Sequence, residues 1–280
     1  MRELHRDQIM DTVRRLCVEA NVHLPCDLRG AIEAAVQTER SPVGRQILED
    51  IIANYRLAEE KNLPICQDTG MAVVFADLGQ EVHIVGGSLD EAVNEGVARG
   101  YLEGALRCSV VEDPLRRDNT NDNTPAILHL RLVPGDTLAL TVAPKGFGSE
   151  NKTAVKLFKP SATREDILNF VTQAVAEAGS DPCPPVVVGV GLGGTVEKAA
   201  ELAKRALLLP VDTPNPDPFY AKMEGELLEK INALGVGPQG LGGTTTALGV
   251  HILPHPTHIA GLPCVVSIGC HVTRHAQAVL

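Results

Sequence analysis

Residues 63–70 of the chain read LPICQDTG and separate two different patterns. A helical pattern ends just before them, at Lys61, and an apolar run begins just after them, at Met71. This arrangement predicts a short connection between a helix and a strand, the kind of position where reactive side chains concentrate. Cys66 lies in it beside an amide, a carboxylate and a hydroxyl group. A lone cysteine is most often a small buried residue. A functional role for Cys66 therefore depends on which other residues of the chain lie near it in the fold.

Composition narrows the class of protein. A chain of 280 residues can bury a substantial core. Its formal net charge of −10 argues against nucleic acid or an anionic membrane surface as a partner. No apolar run approaches the roughly 20 residues of a membrane span, and the N-terminus has no signal-peptide core. We therefore expect a soluble, cytoplasmic protein, in which an anionic substrate would need a local group of Arg and Lys.

Periodicity and capping signals predict a mixed α/β fold. Three helices are expected between about Arg6 and Asn62, the third of which opens with the cap Ser41-Pro42. Helices and strands alternate after that. Strands are expected at 71–78, 82–85, 126–133, 137–143, 186–190, 247–253 and 265–268, and helices at 88–106, 163–178, 195 onward and 218–234. The sequence thus predicts one domain over 1–280, with a helical lobe at 1–62 and, at 63–280, mixed sheets covered by helices.

Two glycine-containing segments invite a functional interpretation. The loop KGFGSENKT at 145–153 combines glycines, hydroxyls and lysines, a composition that suits a backbone closing around an anion. The segment GVGLGG at 189–194 fits the dinucleotide fingerprint, and Asp212 lies at a plausible distance for a ribose contact. We interpret the second motif as a turn that lets a helix pack closely on a strand. A dinucleotide-binding oxidoreductase remains the remoter alternative.

Seven scattered cysteines without a C-x-x-C pair do not form the pattern of a disulfide framework. Three of them, Cys66, Cys183 and Cys270, lie where a loop meets a predicted strand. Thiolates are soft ligands that select zinc, Cu(I) or iron–sulfur clusters. The spacing of the three cysteines alone leaves other interpretations open. They could simply be buried in the core, or form a structural zinc site. A third interpretation is a thiol hydrolase with Cys66 as nucleophile and His258 as base.

Four segments, in this order, resemble the signatures of a known family: PICQDTG, KGFGSENKT, CPPVVVGVGLGGTVEKA and THIAGLPCVVSIGCHVTRHA. They are similar to those of the class I, iron–sulfur-dependent fumarases and L-tartrate dehydratases, and together they extend over nearly the whole chain. The similarity is to the α subunit of the two-subunit forms. It implies reversible hydration of fumarate to (S)-malate, with dehydration of L-tartrate as the alternative.

The resemblance also implies a site. Cys66, Cys183 and Cys270 would hold a 4Fe–4S cluster at the loop–strand junctions, and one iron without a thiolate would stay open as a Lewis acid. Asp68 and His258 are the candidates for proton transfer. The implied substrate contacts are Gln67, Asp68, Arg107, Gly146, Ser149, Asn151, Lys152 and Thr153. Cys17, Cys108 and Cys264 are assigned to packing, and Arg274 is left without a role.

One part of the family pattern is missing. Further substrate-binding arginines, a lysine and a catalytic threonine belong to a C-terminal domain that this chain does not contain. The resemblance therefore implies a separate β subunit, an α2β2 assembly and no activity of the chain alone.

Overall fold

The computed structural model describes residues 1–280, which form two compact units. Unit 1 contains residues 1–24, 55–147 and 274–280, and unit 2 contains residues 25–54 and 148–273. Both units combine helices with a four-stranded sheet, so the predicted mixed α/β class is confirmed. The residues of the predicted helical lobe are divided between the two units. None of the helices has the length and apolar character needed to cross a membrane.

The elements of unit 1 are two helices and six strands. In chain order they are β1 (Arg2–His5), α1 (Arg6–Val22), β2 (Met71–Gly79), β3 (Val82–Val85), α4 (Leu89–Glu103), β4 (Ile127–Val133), β5 (Leu138–Lys145) and β10 (Ala276–Val279). The helices α3 (Pro42–Lys61) and α5 (Phe147–Glu150) run across the division between the units.

The main sheet of unit 1 has the strand order β10-β5-β2-β4. The predicted strands at 126–133 and 137–143 both exist, but the turn between them does not make them neighbours. The apolar strand β2 lies between them, parallel to β4 and antiparallel to β5. Both faces of β2 carry apolar side chains, which favours the centre of a sheet over its edge. The strands β2 and β3 likewise belong to different sheets, because β3 pairs with β1.

Three glycines, four residues apart, set the packing of α4 on α1. A Cβ atom at Gly96, Gly100 or Gly104 would collide with the backbone or side chains of α1, or with the preceding turn of α4. The two helices therefore approach closely and cover one face of the sheet, where Val13, Val93 and their neighbours form the core of unit 1. A capping box at Ser88 starts α4 as predicted.

The elements of unit 2 are four helices and four strands, in addition to its part of α3. They are α2 (Cys26–Thr38), β6 (Ala154–Phe158), α6 (Arg164–Ala178), β7 (Val186–Gly193), α7 (Val196–Ala206), α8 (Pro218–Asn232), β8 (Ala247–His255) and β9 (Leu262–Gly269). The strand order is β6-β9-β7-β8, with β7 and β8 parallel and β9 antiparallel to β7. α6 and α8 build the main core on this sheet, and α7 packs on β7 and β9 through Ala199 and Ala203.

The glycine-rich segment before β8 holds a buried carboxylate. Glu39 is only 1% exposed. Its oxygens accept hydrogen bonds from the backbone N–H groups of Ser41 at 2.8 Å, Thr244 at 2.9 Å and Thr245 at 2.8 Å. Burial alone would raise the pKa of Glu39, but these donors outweigh it and lower the pKa to about 2. Gly243, at φ +144, leaves no room for a side chain against this carboxylate.

Candidate functional site

The segment LPICQDTG lies between α3 and β2, so the predicted connection is confirmed. Cys66 and Asp68 are half-buried and Gln67 is exposed, while Thr69 and Gly70 are buried. The side chains of Cys66, Gln67 and Asp68 are thus at least partly accessible, whereas the end of the loop at Thr69 and Gly70 is enclosed.

Three side chains from distant parts of the sequence hold the carbonyl groups of this loop. The hydroxyl of Tyr101 lies 2.8 Å from Thr69 O and 3.1 Å from Gly70 O. The amide of Asn123 donates to Gly70 O at 3.0 Å, and Arg274 Nη2 donates to Asp68 O at 2.6 Å. Burial raises the pKa of Tyr101, so this phenol stays protonated as a donor.

The carboxylate of Asp68 ties this loop to the end of β5. Its Oδ1 accepts from the N–H of Gly70 at 3.0 Å, and its Oδ2 accepts from the N–H of Phe147 at 2.9 Å. A Cβ atom at Gly146 would lie 3.0 Å from Asp68 Oδ2, so glycine allows the close approach. The two backbone donors fix the orientation of the carboxylate.

Arg107 lies beside the same loop. Its carbonyl oxygen accepts from Thr69 Oγ1 at 3.0 Å, so the two segments are directly connected. The Arg107 side chain is exposed and makes no ion pair. Five of the predicted site residues therefore lie on this loop or beside it in unit 1. They are Cys66, Gln67, Asp68, Arg107 and Gly146.

The predicted anion-binding loop continues into unit 2 and is held by ion pairs. Lys152 Nζ lies 2.5 Å from Asp181 Oδ2, two residues before Cys183 in the sequence. Ser149 is buried, and Asn151 is exposed. The hydroxyl of Thr153 is buried without a hydrogen-bond partner. The positive charge of Lys152 is thus already compensated by a carboxylate, which the sequence did not predict.

Cys183 has an unusual backbone conformation. Its φ of 55° lies in the left-handed region, although it is neither glycine nor asparagine and precedes a proline. Its carbonyl oxygen is close to His271 Nδ1, at 2.9 Å, and to the His271 N–H, at 3.2 Å. The next carbonyl, Pro184 O, accepts from the Gln239 backbone at 2.8 Å and from its side chain at 3.0 Å. Strained residues of this kind are concentrated at functional sites.

Cys270 is half-buried at the end of β9. Its sulfur accepts from the N–H of Val272 at 3.4 Å, and its carbonyl accepts from the hydroxyl of Thr273 at 2.7 Å. A side chain at Gly269 would collide with Thr273, so this turn requires glycine. Backbone N–H groups directed at sulfur are one of the means by which proteins tune iron–sulfur sites.

The seven thiols divide into two groups. Burial raises the pKa of Cys17 and of Cys264 to about 12, which confirms their assignment to packing. Burial also raises the pKa of Cys108, which packs against the core of unit 1. Cys66, Cys183 and Cys270 lie outside the cores and are not in disulfides. Each of the three is therefore a soft donor accessible for ligation, the type of ligand that iron–sulfur clusters take.

Cys66 belongs to unit 1, and Cys183 and Cys270 belong to unit 2. No group of three His, Cys, Asp or Glu side chains is arranged around a metal position in the structure. The ligand set therefore remains a prediction.

His258 lies on the exposed loop between β8 and β9. Its Nδ1 accepts from the N–H of Ala260 at 3.1 Å. A neutral imidazole in this contact carries its proton on Nε2. The ring is thus presented to solvent as a hydrogen-bond donor.

The first five residues of GVGLGG, 189–193, belong to β7, and Gly194 lies in the connection to α7. Side chains at Gly189 and Gly191 would collide with the carbonyl groups of Ala203 and Ala199 on α7. This contact confirms the predicted close packing of a helix on a strand, but the two glycines lie within the strand and not in a turn. In the dinucleotide fingerprint the first glycine forms the tight turn after the strand, whereas Gly189 lies within the strand β7.

Sequence reasoning missed several residues that shape the loops. Tyr101, Asn123, Gln239 and His271 received no role, and Arg274 was undecided. Asn123 is fully buried, although it lies in a polar stretch, 113–126, with the composition of a solvated loop. His271 lies within the fourth family-like segment, and its position next to Cys270 is the signal in the sequence that points to a role.

Comparison with known proteins extends this description. The family described as "Fumarate hydratase (Fumerase)" matches residues 10–279. A Methanocaldococcus jannaschii protein, provisionally named L(+)-tartrate dehydratase subunit alpha, is 41% identical over 277 residues, which are 96% of each chain. The L(+)-tartrate dehydratase alpha subunits of Escherichia coli and Shigella sonnei are each 30% identical, over 96% of this chain and 89% of their own. The chain belongs to the class I fumarate hydratase and L-tartrate dehydratase family, as an alpha subunit.

Proposed function

We propose that this chain is the α subunit of a two-subunit hydro-lyase that dehydrates a four-carbon hydroxy-dicarboxylate, with L-tartrate as the first candidate substrate. L-Tartrate is placed first because nearly the whole chain is similar to relatives named L(+)-tartrate dehydratase subunit alpha. Loss of water from L-tartrate gives an enol that becomes oxaloacetate.

The interconversion of (S)-malate and fumarate is the second candidate. It is favoured by the description of the matching family, which names fumarate hydratase. The two reactions share the removal of a hydroxide from one carbon and of a proton from its neighbour. They differ by one hydroxyl group on the substrate, so the same arrangement of carboxylate-binding groups serves both.

In this proposal a 4Fe–4S cluster is held by Cys66, Cys183 and Cys270. When bound, it supplies a Lewis acid that stabilises the leaving hydroxide. The support in this chain is the chemistry of the donors: three accessible thiols on loops, one with a strained backbone and one with an N–H group directed at its sulfur.

The side chains of this chain would bind and orient the dicarboxylate. Arg107 is exposed and without an ion-pair partner, so its guanidinium can take a carboxylate through two parallel hydrogen bonds. Gln67 and Asp68, together with Gly146, Ser149, Asn151, Lys152 and Thr153, would line the rest of the site. The unpartnered hydroxyl of Thr153 can donate to a bound anion.

Two groups of this chain can take part in proton transfer. Asp68 is held by backbone donors in a fixed orientation, so a substrate proton would reach it without rotation of the carboxylate. His258 presents Nε2 to solvent and can donate to a carboxylate. We propose both as catalytic residues, with a β subunit that completes the site. The names of the relatives, which specify an alpha subunit, support that partner.

The function is tested by co-expression with the β-subunit homologue encoded in the same genome, followed by anaerobic reconstitution with iron and sulfide. Oxaloacetate formation from L-tartrate and fumarate formation from (S)-malate are measured on the same preparation. A higher kcat/KM for L-tartrate is expected. A preference for malate would support the second candidate, and no turnover of either diacid by an iron-loaded complex would contradict the proposal.

The ligand set is tested by alkylation before and after reconstitution, with mass spectrometry to locate the label. Cys66, Cys183 and Cys270 should be labelled in the iron-free protein and protected in the loaded one. Cys26 is exposed and outside the proposed set, so it should be labelled in both. Protection of only two of the three thiols would show that the ligand set is wrong.

A further inference from the structure

We infer that His271 is a positioning residue, which holds the strained backbone of Cys183 in the conformation that lets its thiolate act beside Cys270. The inference rests on the proposed iron–sulfur function. It concerns only contacts within unit 2.

The first step is the direction of the hydrogen bond. His271 Nδ1 lies 2.9 Å from Cys183 O and 3.2 Å from Gln239 Nε2. A carbonyl oxygen can only accept, so Nδ1 must carry the hydrogen that makes the shorter contact. The Gln239 amide then donates to Pro184 O instead, at 3.0 Å. The geometry therefore places the donor hydrogen of the ring on Nδ1.

The second step is the need for support. A residue other than glycine at φ 55° is less stable than the same residue in an extended or helical conformation. Cys183 is kept there by hydrogen bonds that both of its peptide groups make. Its own N–H donates to Ser180 O at 2.9 Å, and its carbonyl receives two donors from His271. Without the imidazole, one side-chain donor of this arrangement is lost.

The third step is the sequence position of the donor. His271 directly follows Cys270, whose carbonyl is held by Thr273 at 2.7 Å and whose sulfur is held by Val272 at 3.4 Å. A single residue therefore connects the two cysteine loops of unit 2 through its backbone and its ring. Loss of such supporting contacts around metal ligands typically lowers the metal affinity by roughly 10- to 100-fold.

The test uses the full α chain in complex with its β subunit and three variants. In His271→Asn the side-chain amide nitrogen takes the place of Nδ1, whereas His271→Gln extends it beyond that place and His271→Ala removes the donor. The first readout is the rate at which a chelator bleaches the reconstituted cluster. We expect roughly tenfold faster bleaching in the Gln and Ala variants, and a rate near that of the wild type in the Asn variant.

A second readout needs no cluster. Hydrogen exchange is followed in the iron-free α chain on a peptide that contains residues 180–186. The Cys183 N–H should exchange about tenfold faster in the Ala and Gln variants than in the wild type, and at the wild-type rate in the Asn variant. Unchanged exchange and bleaching in the Ala variant would overturn the inference, as would an Asn variant no better than Ala.

The two readouts also separate this inference from the proposed function. If the wild-type complex takes up no iron while exchange follows the expected order, the proposed function fails and His271 is still the group that holds Cys183. If the wild-type complex binds iron and turns over a diacid while exchange does not change in any variant, the proposed function stands and the role of His271 is wrong.

Discussion

Arg274 donates a hydrogen bond from Nη2 to the backbone carbonyl of Asp68 at 2.6 Å, and its Nε donates to Asn21 Oδ1 at 3.1 Å. Arg274 is 4% exposed. Two parts of unit 1 that are distant in sequence are therefore joined by one buried cation. A hydrogen bond that involves a charged group contributes about 1.5–3 kcal/mol, and its loss leaves a buried acceptor unsatisfied.

Replacing Arg274 should therefore weaken the whole Cys66 loop. Arg274→Met is expected to lower the free energy of unfolding of the α chain by at least about 2 kcal/mol, as measured by urea denaturation. It should also reduce iron uptake, because the backbone next to Cys66 loses its anchor. Arg116→Met, at an exposed position, serves as the control and should change stability by less than about 0.5 kcal/mol.

Arg107 should behave differently, because its side chain is exposed and has no ion-pair partner. Arg107→Ala is expected to leave the unfolding free energy almost unchanged. It should lower kcat/KM for the dicarboxylate by about 10- to 150-fold, which corresponds to a lost charged contact of about 1.5–3 kcal/mol. Steady-state kinetics of the reconstituted complex measure this effect. An unaltered kcat and KM would show that the carboxylate binds elsewhere.

Glu39 predicts a pH dependence of stability. Its pKa is lowered to about 2 in the folded chain, from a reference value of 4.5. The stabilisation is therefore complete well above pH 4.5 and is lost as the pH falls from there through 2. Linkage gives a loss of about 2 kcal/mol by pH 3 and about 3 kcal/mol by pH 2. Glu39→Gln should lack this part of the pH dependence, which urea unfolding at pH 7 and pH 3 would detect.

The strain at Cys183 can be measured independently of iron. Cys183→Gly should be more stable than Cys183→Ala by about 1 kcal/mol, because glycine adopts positive φ without penalty. The same pair of substitutions at Cys66, whose φ is not positive, should give the opposite order. Thermal or urea unfolding of the iron-free chain decides between these outcomes. Equal stability of the two Cys183 variants would mean that the backbone there is relaxed.

The capped helices were predictable because their signals are local. Ser88 and Thr163 each supply a capping box within four residues of sequence. Strand pairing was not predictable in the same way, because the neighbours of β2 depend on the whole sheet. The strands β1, β6 and β10 were not predicted, because each has only four or five residues and too little alternation to be recognised.

The candidate site likewise contains residues that a local motif identifies and residues that it does not identify. Cysteines, glycines and hydroxyls within a motif can be recognised from their order in the chain. The residues that hold the Cys66 loop in place, such as Tyr101 and Asn123, lie outside those motifs. Their role depends on contacts across many tens of residues, which a single sequence does not encode in any local form.

The glycines of β7 have a mechanical consequence. Because Gly189 and Gly191 bring the backbone of the strand directly against that of α7, no flexible side chains lie between them to absorb a displacement. Strand and helix are therefore expected to move as a single stiff piece. Since β7 begins three residues after Cys183, a shift of α7 along the sheet would be transmitted to the strained cysteine with little attenuation.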